Sequence, residues 1–492
     1  LGSRKEIDKT SSVPLYKQVK EYILRFIYEG GNDVSMVPPE IEICRNFDIS
    51  RATVRSAFME LVKEGVLERV PGKGTFVKER PNTLVFANWQ SAENPTSASV
   101  EELLTRFNNS IKHGFIKSLG IPYSEIERQL LVRAAGGGAP DISSLIYLWT
   151  PLLAYNGALE PLDHIYTPSF KENQYPQTLE GVSCAGRMYG VNWINAPTIL
   201  VYHKDILDEY IGGDRLDIEY YDELLEYFIA IHEKSSGEII PFSIPVLDDE
   251  LFLVFILSNF LHSFGGGIYS DAGEIIFHSG ETQEAFTWLR DFITKGHVNV
   301  SNSLIRNRKM LSIGKLAFLC EGPWMRCMIP AFRGEEESRI TDIGYAPLPK
   351  SPKGETYSVL WNHTLSIFRQ CKNRELAEEF ISYLVMDRSV AEIYYRLTGG
   401  LPVLKDEVER NPAYDDELGR VLKAQLKNAR QIKVHDPATF NLSVAICAKA
   451  ARDILIGETN IPQTLNHYAA ILKTLNSRSK HFITNSASVP RL

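Results

Sequence analysis

An α/β chain with a small, separate head is what this sequence predicts, on three observations. From about residue 84 onward, apolar runs of strand length alternate with amphipathic helical stretches. The first 80 residues break that alternation with three helical segments and one glycine-tipped hairpin. The length of 492 residues also exceeds what one core accommodates and predicts two to four domains. A hydrophobic content of 44% and a charged content of 23% are those of a globular protein. No run approaches the roughly 18 apolar residues that a membrane span requires.

The net charge of −8 argues against a protein that coats nucleic acid, but it conceals an asymmetry. Residues 1–80 hold 14 Lys/Arg against 12 Asp/Glu, and the remainder holds 39 against 49. A mildly basic head on an acidic body predicts two jobs. The six cysteines are scattered without CxxC pairs and fit a reducing compartment. The polar start LGSRKEIDKTSS is read as carrying no secretory signal, and its first three residues as a cloning remnant. The expected location is cytoplasmic.

In the head, PLYKQVKEYILRFIYEGG places Leu15, Val19, Ile23, Phe26 and Ile27 at helical spacing before two glycines that stop the helix. PPEIEICRNFD predicts a second short helix, with Pro39 suited to its first turn. In DISRATVRSAFMELVKEG, Ser50 is a natural N-cap, and Val54, Phe58, Leu61 and Val62 form an inward stripe. The opposite side of the first turn carries Arg51, Thr53 and Arg55, groups suited to phosphates and base edges. VLERVPGKGTFV then predicts a hairpin with Pro71, Gly72, Lys73 and Gly74 at its tip. A basic hairpin tip beside such a helix is a winged helix-turn-helix arrangement.

PLYKQV, ISRATVRSAFMEL and GKGTFV, in that order and spacing, resemble the GntR-type winged-helix repressors over about residues 14–78. The resemblance implies that Ser50, Arg51, Thr53 and Arg55 face operator DNA, with Gly72, Lys73 and Gly74 in the wing. At the second helix the family's serine-glutamate-arginine-like stretch is replaced by Pro39-Glu40-Ile41, and Ile41 cannot donate to a phosphate.

The triple glycine in AAGGGAPDI is not a phosphate loop. A P-loop needs GxxxxGK followed by Ser or Thr, whereas Gly136–Gly138 lead to Ala139-Pro140-Asp141. A dinucleotide site places its glycines after a strand and before a helix. Here the helical stretch YSEIERQLLVRAA precedes them and the apolar run ISSLIYLW follows, the order of a helix end entering a buried strand. Asp141 is accordingly expected to be structural.

LVFANWQ, EELLTRFNNSIKHGF, GALEPLD, GRMYGVNW, TILVYHKDIL, IGKLAFLCEGPWM, DIGYAPLPKSPKGE, NRELAEEFISYLV and TGGLPV follow in order. Together they resemble the extracellular solute-binding receptors for sugars, typified by the maltose-binding protein, from about residue 84 to about 475. The resemblance implies a two-lobed periplasmic-binding-protein-like (type II) domain over 84–480. One lobe is expected at about 84–193 plus 360–400, and the other at about 194–345 plus 401–475. The winged helix-turn-helix occupies 14–80, with a linker at 81–83, inside the short Lys78–Thr83 connection.

Sugars offer C–H faces to aromatic rings and hydroxyl rims to polar groups. Trp89, Trp149, Trp193, Trp324 and Trp361 fall at expected strand ends or turns and are candidate stacking rings, whereas Trp288 in EAFTWLRDFI is a core residue. Trp324 stands first, because Gly-Pro-Trp matches the family turn. Gln90, Asn195 and Asn362 sit beside these rings and are candidate hydroxyl partners. Asp248-Asp249-Glu250 is expected to be a solvated loop. The eleven histidines form no HExxH or evident metal triad, and neither a metal nor a cofactor nor catalysis is expected. The combined expectation is a dimeric, ligand-responsive transcriptional repressor that binds operator DNA and senses a sugar or oligosaccharide. A peptide or anion sensor, or a carbohydrate-active enzyme with paired carboxylates, is the alternative.

Overall fold

The computed structural model describes residue 7 and residues 14–29, 36–63, 66–77, 82–111, 113–457 and 459–486. The head is three helices and a hairpin. Helix α1 (Leu15–Glu29) buries Val19 and Ile23, and the glycines expected to stop it, Gly30 and Gly31, lie outside the described residues. Helix α2 (Glu40–Phe47) begins after Pro39, which takes the N-cap with φ −58° and ψ 143°. Its missing N–H is harmless there. Helix α3 (Arg51–Lys63) is capped by Ser50, whose Oγ accepts from Thr53 N–H at 3.1 Å. The expected stripe of Val54, Phe58 and Leu61 is buried with Ala57. At about 1.5–3 kcal/mol for each large side chain, that burial holds the head together. Strands β1 (Leu67–Val70) and β2 (Gly74–Val77) pair antiparallel from Val70↔Gly74 to Leu67↔Val77.

Of the expected linker, Lys78–Pro81 lies outside the described residues. Thr83 is already the first residue of β3 (Thr83–Asn88), paired with Phe115. The other body strands are β4 (Phe115–Gly120), β5 (Ile142–Ile146), β6 (Ser183–Cys184), β7 (Arg187–Met188), β8 (Val191–Pro197) and β9 (Ile199–His203). Then come β10 (Ile240–Phe242), β11 (Leu316–Glu321), β12 (Ile343–Ala346), β13 (Ser358–Ile367), β14 (Leu401–Pro402) and β15 (Ala429–Arg430). The larger sheet has the order β14-β8-β13-β5-β3-β4, with β15 also on β13, and the smaller sheet has the order β10-β11-β9-β12. Every residue of β5, β8, β9 and β11 is buried, as in strands covered by helices on both faces. The glycines of AAGGGAPDI end a helix as expected. The helix Tyr123–Ala135 closes with Gly138 N–H donating to Arg133 C=O at 2.9 Å, and Gly137 adopts φ +75°. Asp141 accepts from Val85 N–H at 2.8 Å, a structural role.

Two lobes result, each an α/β layer built on one sheet. The chain passes from the larger sheet to the smaller between Pro197 and Ile199, and returns between β12 and β13. It leaves again by β15 for the helices Phe440–Leu455 and Ile461–Ser486, which pack on the second lobe. The boundaries expected near 193 and 400 fall a few residues inside the larger sheet. Asn195–Pro197 still pair with β13, and Leu401 and Pro402 pair with β8.

Three buried amides join these crossings. Asn362 Nδ2 donates to Asn195 Oδ1 at 2.6 Å, Gln431 Nε2 donates to Asn362 Oδ1 at 2.9 Å, and Asn195 Nδ2 donates to Pro402 C=O at 3.0 Å. Replacing Asn362 by Ala leaves Asn195 Oδ1 and Gln431 Nε2 without a partner and is expected to destabilise the body by about 1–3 kcal/mol. Denaturant unfolding followed by tryptophan fluorescence reads this, and an unchanged midpoint refutes it.

Candidate functional site

In the head, Arg51 and Arg55 are both exposed on α3, and Thr53 is half-buried with its hydroxyl 2.8 Å from Ser50 Oγ. Gly72 (φ +75°) and Lys73 form an exposed hairpin tip with open space around Gly72. Gly74, expected at the tip, is exposed and is the first residue of β2. A Cβ there would meet Met36 Sδ at 3.2 Å, so it lies against the segment leading into α2. Sequence reasoning missed Glu40. Its carboxylate accepts from Arg69 Nη2 of β1 and lies 3.9 Å from Arg51 Nε, linking α2 to both α3 and the hairpin. Ile41 is exposed at the start of α2 and contributes no donor.

In the body, four of the five candidate tryptophans meet where the lobes face each other. Trp89, directly after β3, stands edge-on to Trp149 (6.1 Å between centroids, 88°) and to Tyr123 (5.9 Å, 79°). Trp361, on β13, stacks on Phe255 of the second lobe at 3.7 Å and 17°. Trp324 meets the edge of Trp361 at 6.0 Å and 89°, and it is the most exposed of the four. The fifth, Trp193, is 2% exposed and packed on Tyr394 at 4.7 Å in the core of the first lobe. The pleat explains the split: Trp193 belongs to the face of β8 covered by that lobe's helices.

The candidate amides are sealed. Gln90 is 1% exposed and accepts from Ser144 Oγ at 3.0 Å, and both Asn195 and Asn362 are fully buried in the ladder described above. Their hydrogen-bonding capacity is spent on holding the crossings. Trp288 packs among Tyr221, Phe260, Phe264 and Phe292, the core position expected for it.

The groups that face the rings come from helix starts, a placement sequence patterns do not mark. Glu93 is the residue just before the helix Asn94–Ser110, Tyr123 opens its own helix, and Glu127 lies one turn on. Opposite them are Asp249, Phe252 and Arg308, with Trp324 at the start of the helix Met325–Arg333. Asp249 is not in a loop. It caps the helix Glu250–Ser263, accepting from Phe252 N–H at 2.7 Å. Its neighbour Asp248 accepts from Leu304 N–H, and Glu250 pairs with Arg452 at 3.2 Å, so the acidic run is structured throughout. Burial raises the Glu93 carboxyl above its ordinary range, against a hydrogen bond from Tyr123 N–H and the charge of Arg308. Burial likewise raises Glu127, against hydrogen bonds from Asn441 and the Trp149 indole. The Tyr123 phenol is pushed well up by burial and by the charges of Asp249, Glu93 and Glu127.

The lobes touch at several points around this cluster. Asn441 Nδ2 of the second lobe donates to Glu127 Oε1 of the first at 2.7 Å. Gly399, at φ +81° after the helix Arg388–Thr398, abuts the Gly-Pro-Trp turn so closely that a Cβ would meet Pro323 C=O at 2.5 Å. Aromatic walls with carboxylates between them can bind hydroxyl-rich, uncharged surfaces, the rings taking C–H faces and the carboxylates accepting hydroxyl protons.

His363 lies among these rings, 4.9 Å edge-on from Trp89, where the β13–β8 register shifts between His363 and Thr364. Its Nδ1 is buried without a hydrogen-bond partner, and burial lowers its pKa to about 4. The unfolded chain, with an ordinary histidine near 6.5, binds the proton more readily. This contribution to stability is therefore full above about pH 6.5 and is lost as the pH falls through 4. Glu93 and Glu127, with raised values, carry the opposite sign. The difference in unfolding free energy between wild type and His363→Phe isolates the histidine and is expected to change across that window. A difference independent of pH refutes it.

Residues 102–418 match the family of bacterial extracellular solute-binding proteins, and residues 15–77 match the bacterial regulatory proteins of the gntR family. The maltodextrin-binding protein MdxE of Bacillus subtilis is 25% identical over 346 residues, covering 64% of this chain and 77% of that protein. The HTH-type transcriptional repressor NagR of Bacillus subtilis is 43% identical over 74 residues, covering 15% of this chain and 30% of its own length. The chain thus spans under a third of that repressor. Among solved structures, the GacH receptor of Streptomyces glaucescens superposes with a TM-score of 0.70 at 19% identity, over 81% of this chain and 99% of that one. A solute-binding protein from Thermotoga lettingae, bound with α-D-tagatose, gives 0.71 at 19% identity over 80% and 99%. These structural likenesses establish the two-lobed fold.

Proposed function

Because the chain belongs to the bacterial extracellular solute-binding protein family over residues 102–418 and carries a gntR-type head at 15–77, we propose that it is a ligand-responsive transcriptional regulator. The observation that carries this is the union in one polypeptide of an exposed Arg51/Arg55 helix start and hairpin tip with a two-lobed, aromatic-lined body. Neither family is an enzyme family. The ligand is a sugar or oligosaccharide, in keeping with the maltodextrin-binding relative and the tagatose-bound structural neighbour. An anion is disfavoured because Glu93, Glu127 and Asp249 surround Tyr123 while Arg308 is committed to Glu321. The protein acts in the cytoplasm as a homodimer, since one recognition helix contacts too few base pairs for useful specificity. It represses, as its NagR relative does.

In the head, Ser50, Arg51, Thr53 and Arg55 face operator DNA, with the wing residues Gly72, Lys73 and Gly74 at the minor groove. Arg55→Ala is expected to cost about 1–3 kcal/mol of operator affinity if its fork reads a guanine. A mobility-shift titration on a duplex selected from a random pool by the wild-type chain measures this. Equal affinity removes Arg55 from the interface.

In the body, sugar stacks on Trp324 with Trp89, Trp149 and Trp361 completing the cleft. Closure of the lobes alters the dimer, and with it the placement of the two heads. A ligand shifts that equilibrium only by its differential affinity for the closed form. The coupling is reciprocal, so sugar and DNA change each other's affinity by one factor. A carbohydrate panel read by tryptophan fluorescence and melting temperature tests the reading, and failure of every sugar to bind sinks it. With a binding sugar in hand, Trp324→Ala is expected to abolish the effect of sugar on operator affinity while leaving sugar-free DNA binding intact. A wild-type response in that variant would show the ring to be structural.

A further inference from the structure

Glu321 ends β11 with its side chain sealed from solvent, and so from any ligand in the cleft. It is nonetheless the most heavily used carboxylate in this region. Its oxygens accept from the Arg308 guanidinium through Nε and Nη2, from Trp324 Nε1 at 2.7 Å and from Gly322 N–H at 3.1 Å. Burying a charge is unfavourable unless it is paired and hydrogen-bonded, and here one donor reaches Oε1 and three reach Oε2.

We propose that Glu321 is a positioning residue for ligand binding, holding the Trp324 ring through its indole N–H as a rigid wall of the cleft. The inference rests on the reading of the cleft as a carbohydrate site. Trp324 sits on a turn and is only partly buried, so packing alone does not fix its χ2. Three contacts do. The indole N–H is tied to Glu321. The ring lies against Gly322, where a Cβ would come within 2.3 Å of its carbons, so any other residue at 322 would displace it. The edge of Trp361 closes a third side. A ring ordered before the ligand arrives spares binding the entropy of immobilising it. The same carboxylate orients Arg308, whose guanidinium carbon is 5.7 Å from the Phe252 centroid and 5.9 Å from that of Trp324. Glu321 thereby serves two walls of the cleft that it does not itself reach.

The test uses the full chain labelled with 5-fluorotryptophan, the line missing from Trp324→Phe identifying Trp324 in the fluorine spectrum. Glu321→Gln replaces one carboxylate oxygen by an NH2, which meets a donor in either orientation: Arg308 Nε in one, and Arg308 Nη2, Trp324 Nε1 and Gly322 N–H in the other. It is expected to shift or broaden the Trp324 line and leave the Trp193 and Trp288 lines in place. An unmoved Trp324 line overturns the proposal, and this readout needs no ligand. With maltotetraose as probe, Glu321→Gln is expected to weaken binding at least tenfold and to add nothing to the loss in Trp324→Ala, because it acts through that ring. Additive losses overturn the proposal. Failure of the wild-type chain to bind maltotetraose or any other sugar sinks the carbohydrate reading instead, and the fluorine spectrum then decides on Glu321 alone. If Glu321→Gln does not fold, the double variant Arg308→Met/Glu321→Leu removes the charge pair together and carries the same spectral measurement.

Discussion

The body depends on one constraint: wherever the chain leaves one sheet for the other, polar groups are buried that water cannot reach. Asn195 on β8, Asn362 on β13 and Gln431 just after β15 solve this with one another, each amide serving a neighbouring crossing. Gln431 Oε1 also accepts from Gly181 N–H at 2.9 Å, and Ile432 N–H donates to the Tyr147 hydroxyl at 2.8 Å. The crossings are thereby tied at one place, and one buried apolar cluster runs from the larger sheet into the smaller, joining Ala87 and Leu145 to Phe255 and Phe318.

The tryptophans assemble just beyond those crossings, at the strand and helix ends that face the opposite lobe. Helix starts bring carboxylates there, and these become expensive as the lobes approach and water leaves. Glu93 and Glu127 are both raised by burial, and the hydrogen bonds from Tyr123 N–H, Trp149 and Asn441 offset part of that penalty. Hydroxyl groups of a bound sugar would offset more, which is a physical reason for ligand to favour closure under the proposed function. The Asn441–Glu127 contact joins the lobes directly.

The head shows the same economy on a smaller scale. Glu40 neutralises Arg69 and stands beside Arg51, so the cationic surface is organised before any polyanion arrives. Arg55 and Lys73 remain exposed. The pairing also tempers the basic character of the head, consistent with the small excess of Lys/Arg over Asp/Glu in residues 1–80.

Local patterns sufficed for the order of elements. The inward stripe of α3, its Ser50 cap and the helix-ending glycines at 136–138 depend on interactions within five residues, which a sequence displays directly. The Gly-Pro-Trp turn was legible for the same reason, since Gly322 and Trp324 touch within one turn. What the sequence could not decide is which face of a strand a residue occupies once both faces are buried. Trp193 and Trp361 look alike in their runs, yet one enters the core of the first lobe and the other stacks on Phe255 of the second. The amides beside them, Gln90, Asn195 and Asn362, are of the type that binds hydroxyls, and only the folded chain shows Gln90 held by Ser144 and the two asparagines held by one another and the backbone. Glu93, Glu127, Asp249, Arg308 and Glu321 carry no local signature at all, being ordinary charged residues that become a site only when two lobes are brought together. Periodicity reports burial along one element, whereas a cleft is made by contacts between elements far apart in the chain, and that juxtaposition is set by tertiary packing.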